Sequence, residues 1–398
     1  MGYAGILLGV VGFAAWAGGP SVPAGDDDVL RQILEVAPTA DRARLETLAS
    51  GLSVPDLREK TLGVLDDLLK AASLSRRGRA LEKEMGELGG QVSWEPGGPA
   101  WLRSRVGDPP MKVFDRLVTV DLHDRTNPHF KDYHLNTRVN DEWLEKVAGF
   151  PDLRSLDVGN ADIRGPGLRF VGTLTALESI NLTLTPITDE ALPPLASLSK
   201  LRVLGLASTK VTGTGLRSLA ELPIENLNCH STPVDDAGLA EISRLKKLLR
   251  LEIVHTKFTD EGARHLSALK TLERLQLGSR NATGAGLAGL RELPRLAELD
   301  LHDGPPTLEG LRHVGKITTL RVLRVYGGGS GDEGVRALAG LGHLEVLVLE
   351  SLGMTDAGVP VFSDFGALKR VELHESKITD AALAALRASR PTLDASRK

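Results

Sequence analysis

Leucines return on a fixed period through the last two-thirds of this 398-residue chain, and that period leaves few folds open. The pattern L-x-x-L-x-L starts at Leu153, Leu177, Leu201, Ile224, Leu248, Leu272, Leu296, Leu320, Leu344 and Leu368. Subtracting neighbouring positions gives 24 at every step except 23 between Leu201 and Ile224. The last two apolar positions of a unit, such as Leu204 and Leu206 or Leu299 and Leu301, are two residues apart and so lie on one face of a short strand. Ten units in register imply a stack of like modules rather than one closed core.

The other half of each unit reads as a turn and a helix. Ile187-Thr188-Asp189-Glu190-Ala191-Leu192 aligns with Phe258-Thr259-Asp260-Glu261-Gly262-Ala263 and Ile378-Thr379-Asp380-Ala381-Ala382-Leu383. An apolar residue plugs the turn, and Thr or Asp accepts from the free N–H groups of a helix start. Leu216, Leu219 and Leu222, like Leu287, Leu290 and Leu293, then form one buried stripe. No unit can hide its own apolar face, whereas stacked units enclose a core between a parallel sheet and a row of helices. The expected fold class is therefore α/β, a right-handed βα horseshoe with the parallel sheet on its concave side. Leu117, Val120 and Leu122 add an eleventh strand; the step from Leu117 to Leu153 is 36, so 36 − 24 leaves an insertion of 12 residues near Asn127 to Arg138. At about 4.8 Å per strand the sheet would run roughly 50 Å.

These units resemble the leucine-rich-repeat family, in the T-x-[IV]-T-D-x-G-L form abundant in multi-repeat bacterial proteins. They are also similar to the cysteine-containing repeats of F-box proteins, although no F-box signature is present. The resemblance covers Leu117 to about Leu386 and implies protein–protein recognition through the concave sheet. Asn281-Ala282-Thr283-Gly284, Pro305-Pro306-Thr307-Leu308 and Gly327-Gly328-Gly329-Ser330 depart from the T-x-I-T-D pattern.

Ahead of the repeats, residues 1–25 read as a hydrophobic N-terminus and linker. Tyr3 to Ala17 carry no charge, and Ala15-Trp16-Ala17 fits a signal-peptidase site, although no Lys or Arg precedes Arg31. The expectation is an exported chain (periplasmic, cell-surface or secreted). An uncleaved anchor or a misplaced start, and with the latter a cytoplasmic protein, are the alternatives. Residues 26–110 read as a helical segment and a Pro/Gly-rich loop. Their stripes are Leu30, Ile33 and Leu34; Leu62, Leu65, Leu68 and Leu69; and Leu81, Met85 and Leu88. Three helices are expected, the second over about Pro55 to Ala72 and the third over Ser75 to Leu88, with Glu95 to Pro110 as loop. A cap on the repeat array is the simplest role, a regulatory or partner-binding unit the other. The repeat domain is expected over 111–390 and a tail over 391–398.

Charge and cysteine content narrow the partners. Forty-eight basic against 52 acidic residues give a net charge of −4, unlike the basic face that nucleic-acid binding requires. One cysteine excludes an internal disulfide and any Cys-rich zinc module. Past the N-terminus no apolar run approaches the roughly 20 residues of a membrane span.

Candidate chemistry is thin, and neither catalytic, cofactor-binding nor metal residues are expected. Gly284-Ala285-Gly286-Leu287-Ala288-Gly289 spells G-x-G-x-x-G, yet Gly213-Thr214-Gly215 holds the same place in another unit, so the match follows from the repeat. Gly327 to Gly331 lacks the Lys-Ser/Thr of a phosphate loop. Cys229 occupies a core position of a strand, where a small hydrophobe belongs. His123, His230, His302 and His374 recur three or more units apart, at least about 14 Å, too far to share a metal. His123, His129 and His134 with Asp121, Asp124 and Asp132 form the one dense His/Asp cluster, a zinc or enzymatic alternative at residues 121–134.

Function is expected on the strand residues that point away from the core. Asp121, Asp157, Asn181, Asn228, Glu252 and Asp300 make a polar row, and Arg250 and Arg274 sit side by side. Val322, Val346 and Val348 with Arg324 and Tyr326 make an apolar patch where solvent-facing residues are usually polar. These seven residues — Arg250, Arg274, Val322, Arg324, Tyr326, Val346 and Val348 — are the expected contacts for a protein partner. A carbohydrate or cell-envelope ligand on the Asn/Asp row is the alternative.

Overall fold

The computed structural model describes residues 24–39, 41–122, 135–303 and 307–397, in two compact units. The first comprises Met1–Tyr133, Glu142–Val158 and Phe170–Glu178, and the second His134–Asp141, Gly159–Arg169 and Ser179–Lys398.

Five helices dominate the first unit: α1 (Ala24–Val36), α2 (Arg42–Ser50), α3 (Pro55–Gly63), α4 (Leu65–Glu87) and α5 (Ala100–Val106). Leu30, Ile33, Leu45, Leu52, Leu65, Leu68 and Met111 close their core. Asp26 is buried at the start of α1, where it accepts from the backbone N–H groups of Ser53 and Val54 and from the Ser53 hydroxyl. Two expectations need correcting. The helix break falls at Val64, not between residues 72 and 75, because α3 ends there and Asp66 and Asp67 stabilise the N-terminus of the 23-residue α4. The Pro/Gly-rich stretch is no simple loop, since Pro99 and Pro109 sit at helix starts, where a missing N–H costs nothing. It also lies beside an unexpected strand, β1 (Gln91–Glu95), which pairs antiparallel with β2 (Arg116–Asp121). On its other side β2 pairs in parallel with β4 (Ser155–Asp157). The helix Leu144–Val147 is tied to α4 through Glu84, which accepts from Trp143 Nε1 at 3.1 Å and from Lys146 Nζ at 2.7 Å.

The second unit carries the repeat. A short pair, β3 (Asn136–Asn140) with β5 (Ala161–Asp162), stands apart from ten parallel strands. These are β6 (Ser179–Asn181), β7 (Val203–Gly205), β8 (Asn226–Asn228), β9 (Arg250–Thr256), β10 (Arg274–Ser279), β11 (Glu298–His302), β12 (Val322–Tyr326), β13 (Val346–Glu350), β14 (Arg370–His374) and β15 (Asp394–Arg397). Ile180, Leu204, Leu227, Leu251, Leu275, Leu299, Leu323, Leu347, Val371 and Ala395 lie side by side in register. All ten are buried. The 23-residue step is absorbed where Leu222-Pro223-Ile224 replaces the longer Leu198-Ser199-Lys200-Leu201, so the strands stay aligned. Residues 394–397, expected as tail, form the last strand. Arg387 donates to the Ala395 carbonyl there, and Arg397 donates to the Ile378 carbonyl and the Asp380 carboxylate.

The T-D-x-G-L motif works between coils. Asp189 accepts from Thr212 N–H and Oγ1 and from the N–H groups of Gly213 and Gly215 in the next coil. Asp260 does the same for Thr283, Gly284 and Gly286. Asp236, Asp332 and Asp356 likewise hold Thr259, Thr355 and Thr379. After a coil that lacks the Asp, the cap is local: Asp235 and Thr307 accept from N–H groups three residues along their own chain. The helical halves are short. Those at Thr214–Leu219, Ala285–Glu292 and Asp356–Asp364 are 3₁₀ rather than α, the last with Pro360 inside it.

At or just past the strand ends the chain turns through a left-handed residue. Asn160, Leu184, Ser208, Ser231, His255, Asp303, Ser351 and Glu375 have φ between 48 and 62°. Most aim their N–H at the neighbouring coil, as Ser208 does to the His230 carbonyl and Ser231 to the Val254 carbonyl. A Cβ there costs about 1–2 kcal/mol. Ser231→Gly is therefore expected to stabilise the chain by about 0.5–1 kcal/mol and Ser231→Val to destabilise it by about 1–2 kcal/mol. Urea unfolding of the two variants checks this, and equal midpoints would refute it.

Candidate functional site

The strands bury one face, and their alternate side chains form rows on the other. One row runs Arg250, Arg274, Glu298, Val322, Val346 and Arg370. The next runs Glu252, Gln276, Asp300, Arg324, Val348 and Glu372. Arg250 and Arg274 are exposed and directly opposed, and Arg274 pairs with Glu298 at 3.1 Å. Val322 and Val346 are likewise opposed, and both are half-buried.

The apolar patch needs correction. Val348 is only 8% exposed, although it occupies an outward position. Its in-register neighbours are Arg324 and Glu372, long side chains standing on either side of a short one. Arg324 is no free anchor, because it donates to Asp300 at 2.9 Å, and Asp300 is itself buried. Tyr326 stacks on His302, with ring centroids 4.3 Å apart and 14° between planes. Burial pushes the Tyr326 hydroxyl above its ordinary range, and Asp300 adds to that push.

Sequence reasoning missed the constellation at this edge of the sheet. It weighed His230 and His302 but not His255 and Asp303, each one residue further along its coil. In the coil between them β10 continues to Ser279, and Ser279 is absent from the left-handed series. The N–H of His255 instead reaches the Asp303 carboxylate, 48 residues on, at 2.8 Å, and the same carboxylate pairs with His255 Nδ1. His255 also meets His230 edge-on, with centroids 4.9 Å apart. Burial holds His302 and His230 below the ordinary imidazole range, opposed by Asp303 in both cases and by Asp300 at His302. The signal was available in principle, as a left-handed position occupied by His with Asp two coils later.

Other candidates are accounted for. Cys229 is fully buried, and burial pushes its thiol up to about 12, so it does not act as a nucleophile. The N–H groups of Gly284 and Gly286, which a pyrophosphate would need, already donate to the Asp260 carboxylate at 3.0 and 2.9 Å. Asn181 and Asn228 accept through their side-chain oxygens from Thr183 and His230 N–H, shaping their own turns. His123, Asp124, His129, Asp132 and His134 lie outside the described residues. Among the described residues no three His, Cys, Asp or Glu side chains are placed to hold a metal ion, and no helix is long and apolar enough to cross a membrane. An open groove of about 400 Å³ lined by Leu34, Pro38, Arg79 and Val113 belongs to the first unit.

No family model matches the chain, and no curated protein does. Solved structures do share features with it. An internalin from Listeria monocytogenes str. 4b F2365 is 18% identical over 64% of this chain and 88% of its own, with a TM-score of 0.39. A leucine-rich-repeat protein of Leptospira interrogans is 15% identical over 63% of this chain and 80% of its own, with a TM-score of 0.33. With its strand–turn–helix coils stacked in parallel, the fold is an α/β leucine-rich-repeat solenoid with an N-terminal helical segment.

Proposed function

We propose that this chain is a non-enzymatic interaction module that binds a partner protein on the open face of β6–β15. One observation carries the reading: ten parallel strands present in-register outward rows on a frame whose inner positions are all buried. A scaffold of that kind holds its side chains in place before binding, so little ordering cost falls on association. The contact centre lies over β12 and β13, from half-buried Val322 and Val346 at one end of the strands to Tyr326, stacked on His302, at the other. The double variant Val346→Asp plus Tyr326→Ala, with folding intact by circular dichroism, is expected to lose at least tenfold in partner affinity, about 1.4 kcal/mol. Capture of the same partner by wild type and variant in equal amounts refutes the reading.

The carbohydrate reading is less well supported, because Asn181 and Asn228 have already committed their side-chain oxygens. We further propose export through the apolar N-terminus, on the strength of Tyr3 to Ala17 and Ala15-Trp16-Ala17. Mass spectrometry of the mature N-terminus tests it, and a chain still starting at Met1 in the cytoplasm rules it out. The likeness to T-x-[IV]-T-D-x-G-L repeats is part of the same proposal and rests on the motif's inter-coil role.

A further inference from the structure

Glu252, Gln276 and Asp300 stand side by side on β9, β10 and β11, three oxygen acceptors in register within about 10 Å. Asp300 is satisfied on one flank, where the next strand supplies Arg324 at 2.9 Å. On its other flank the row continues with Gln276 and Glu252, neither of them a cation. Glu252 is half-buried, and among the described residues its carboxylate has neither a hydrogen bond nor an ion pair. Contrast Glu372, which lies in the same row and pairs with Arg370 two residues back on its own strand. Arg250 holds the equivalent place before Glu252 without forming such a pair. Burial raises the Glu252 carboxyl above its ordinary range, and Asp300 raises it further.

Beside these acceptors lies a shelf of rings. His302 stacks on Tyr326, His230 meets His255, and Asp303 anchors His255. Between them Gly278 lets the shelf close in, since a Cβ there would come within 2.9 Å of the His302 carbonyl oxygen. Carboxylates along one side and ring faces along the other suit a planar cation, which gains charge-assisted hydrogen bonds and stacking together. Arg324, on the same strand as Tyr326, reaches across to Asp300 and shows the chain itself supplying a guanidinium to one flank of this row.

We propose that the notch of Glu252, Gln276 and Asp300, backed by His302 and Tyr326, receives an arginine side chain of the protein partner. This rests on the open face being the interaction surface, and it names the chemistry that surface selects. The test uses the full chain with ¹³C-labelled histidine, titrated with acetyl-arginine amide and with its neutral analogue acetyl-citrulline amide. The arginine compound is expected to shift the His302 and His255 ring resonances saturably, with citrulline at least fivefold weaker. Glu252→Gln is expected to weaken arginine binding at least fivefold, whereas Glu221→Gln, an equal charge change at an exposed site in another coil, leaves it unchanged. Equal binding of the two compounds, or equal effects of the two variants, overturns the notch. A partner that is lost with Val346→Asp plus Tyr326→Ala but retained by Glu252→Gln would leave the broader interaction reading standing and remove this one.

Discussion

Gly238→Ala is expected to destabilise the second unit by about 3 kcal/mol, because a Cβ at that position would lie 2.1 Å from the Thr212 carbonyl oxygen of the preceding coil. Backbone cannot step aside as a flexible side chain can, so the coils must separate. The same column holds Gly167, Gly215, Gly262 and Gly286, each within 2.2–2.6 Å of an oxygen of the preceding coil's Asp. Ala191 occupies the equivalent place in its coil, opposite Gly165. Gly342 is the matched control, since a Cβ there meets nothing within 4 Å and Gly342→Ala should change stability by less than about 0.5 kcal/mol. Urea unfolding compares the two. In a stack of modules the loss should be local, so hydrogen exchange should show opening first around Gly213 and Gly238. Indistinguishable midpoints for the two variants would mean that the coils are not packed backbone to backbone.

Asp260→Ala ranks next, at about 2 kcal/mol, because it strips an acceptor from three backbone N–H groups and the Thr283 hydroxyl in one step. The same residue makes stability depend on pH. Burial alone would push the Asp260 carboxyl up, but the bonds from Thr283, Gly286 and Gly284 outweigh it and hold the group below its usual range. Asp236 behaves likewise, burial being outweighed by Thr259 and Gly262. A carboxyl depressed in the folded state binds its proton more readily when unfolded. Its contribution is therefore complete above the unfolded value near pH 4 and fades as pH falls through the folded value. Wild type should thus lose stability below about pH 4 more steeply than Asp260→Asn, which keeps one acceptor oxygen and cannot titrate. Parallel curves for the two proteins between pH 5 and 2.5 would show that these bonds do not govern the acid limb.

Much of this site could be anticipated only in outline. Alternation along each strand correctly set out the outward positions, including Arg250, Arg274, Val322 and Val346, because side-chain direction follows from a period of two. Which of them remain open to a partner did not follow. Val348 is covered between longer neighbours, and Arg324 is spent on Asp300. Both facts depend on which residue stands one strand away, and a single strand carries no record of that. The His255–Asp303 contact spans 48 residues for the same reason, across a coil that has no left-handed residue at Ser279.

The amino-acid sequence by itself determined the period, the strand faces and the turn chemistry, since these depend on neighbours within about ten residues of one another. It also specified the inter-coil caps implicitly, in the choice of Asp, Thr and Gly at fixed places. Tertiary structure alone decided which charges are paired, which valine is hidden, and that Glu252 has no counter-ion among the described residues. The physical reason is that burial and Coulomb energy depend on distances across coils, and these are set only when residues 24 or 48 apart are brought side by side.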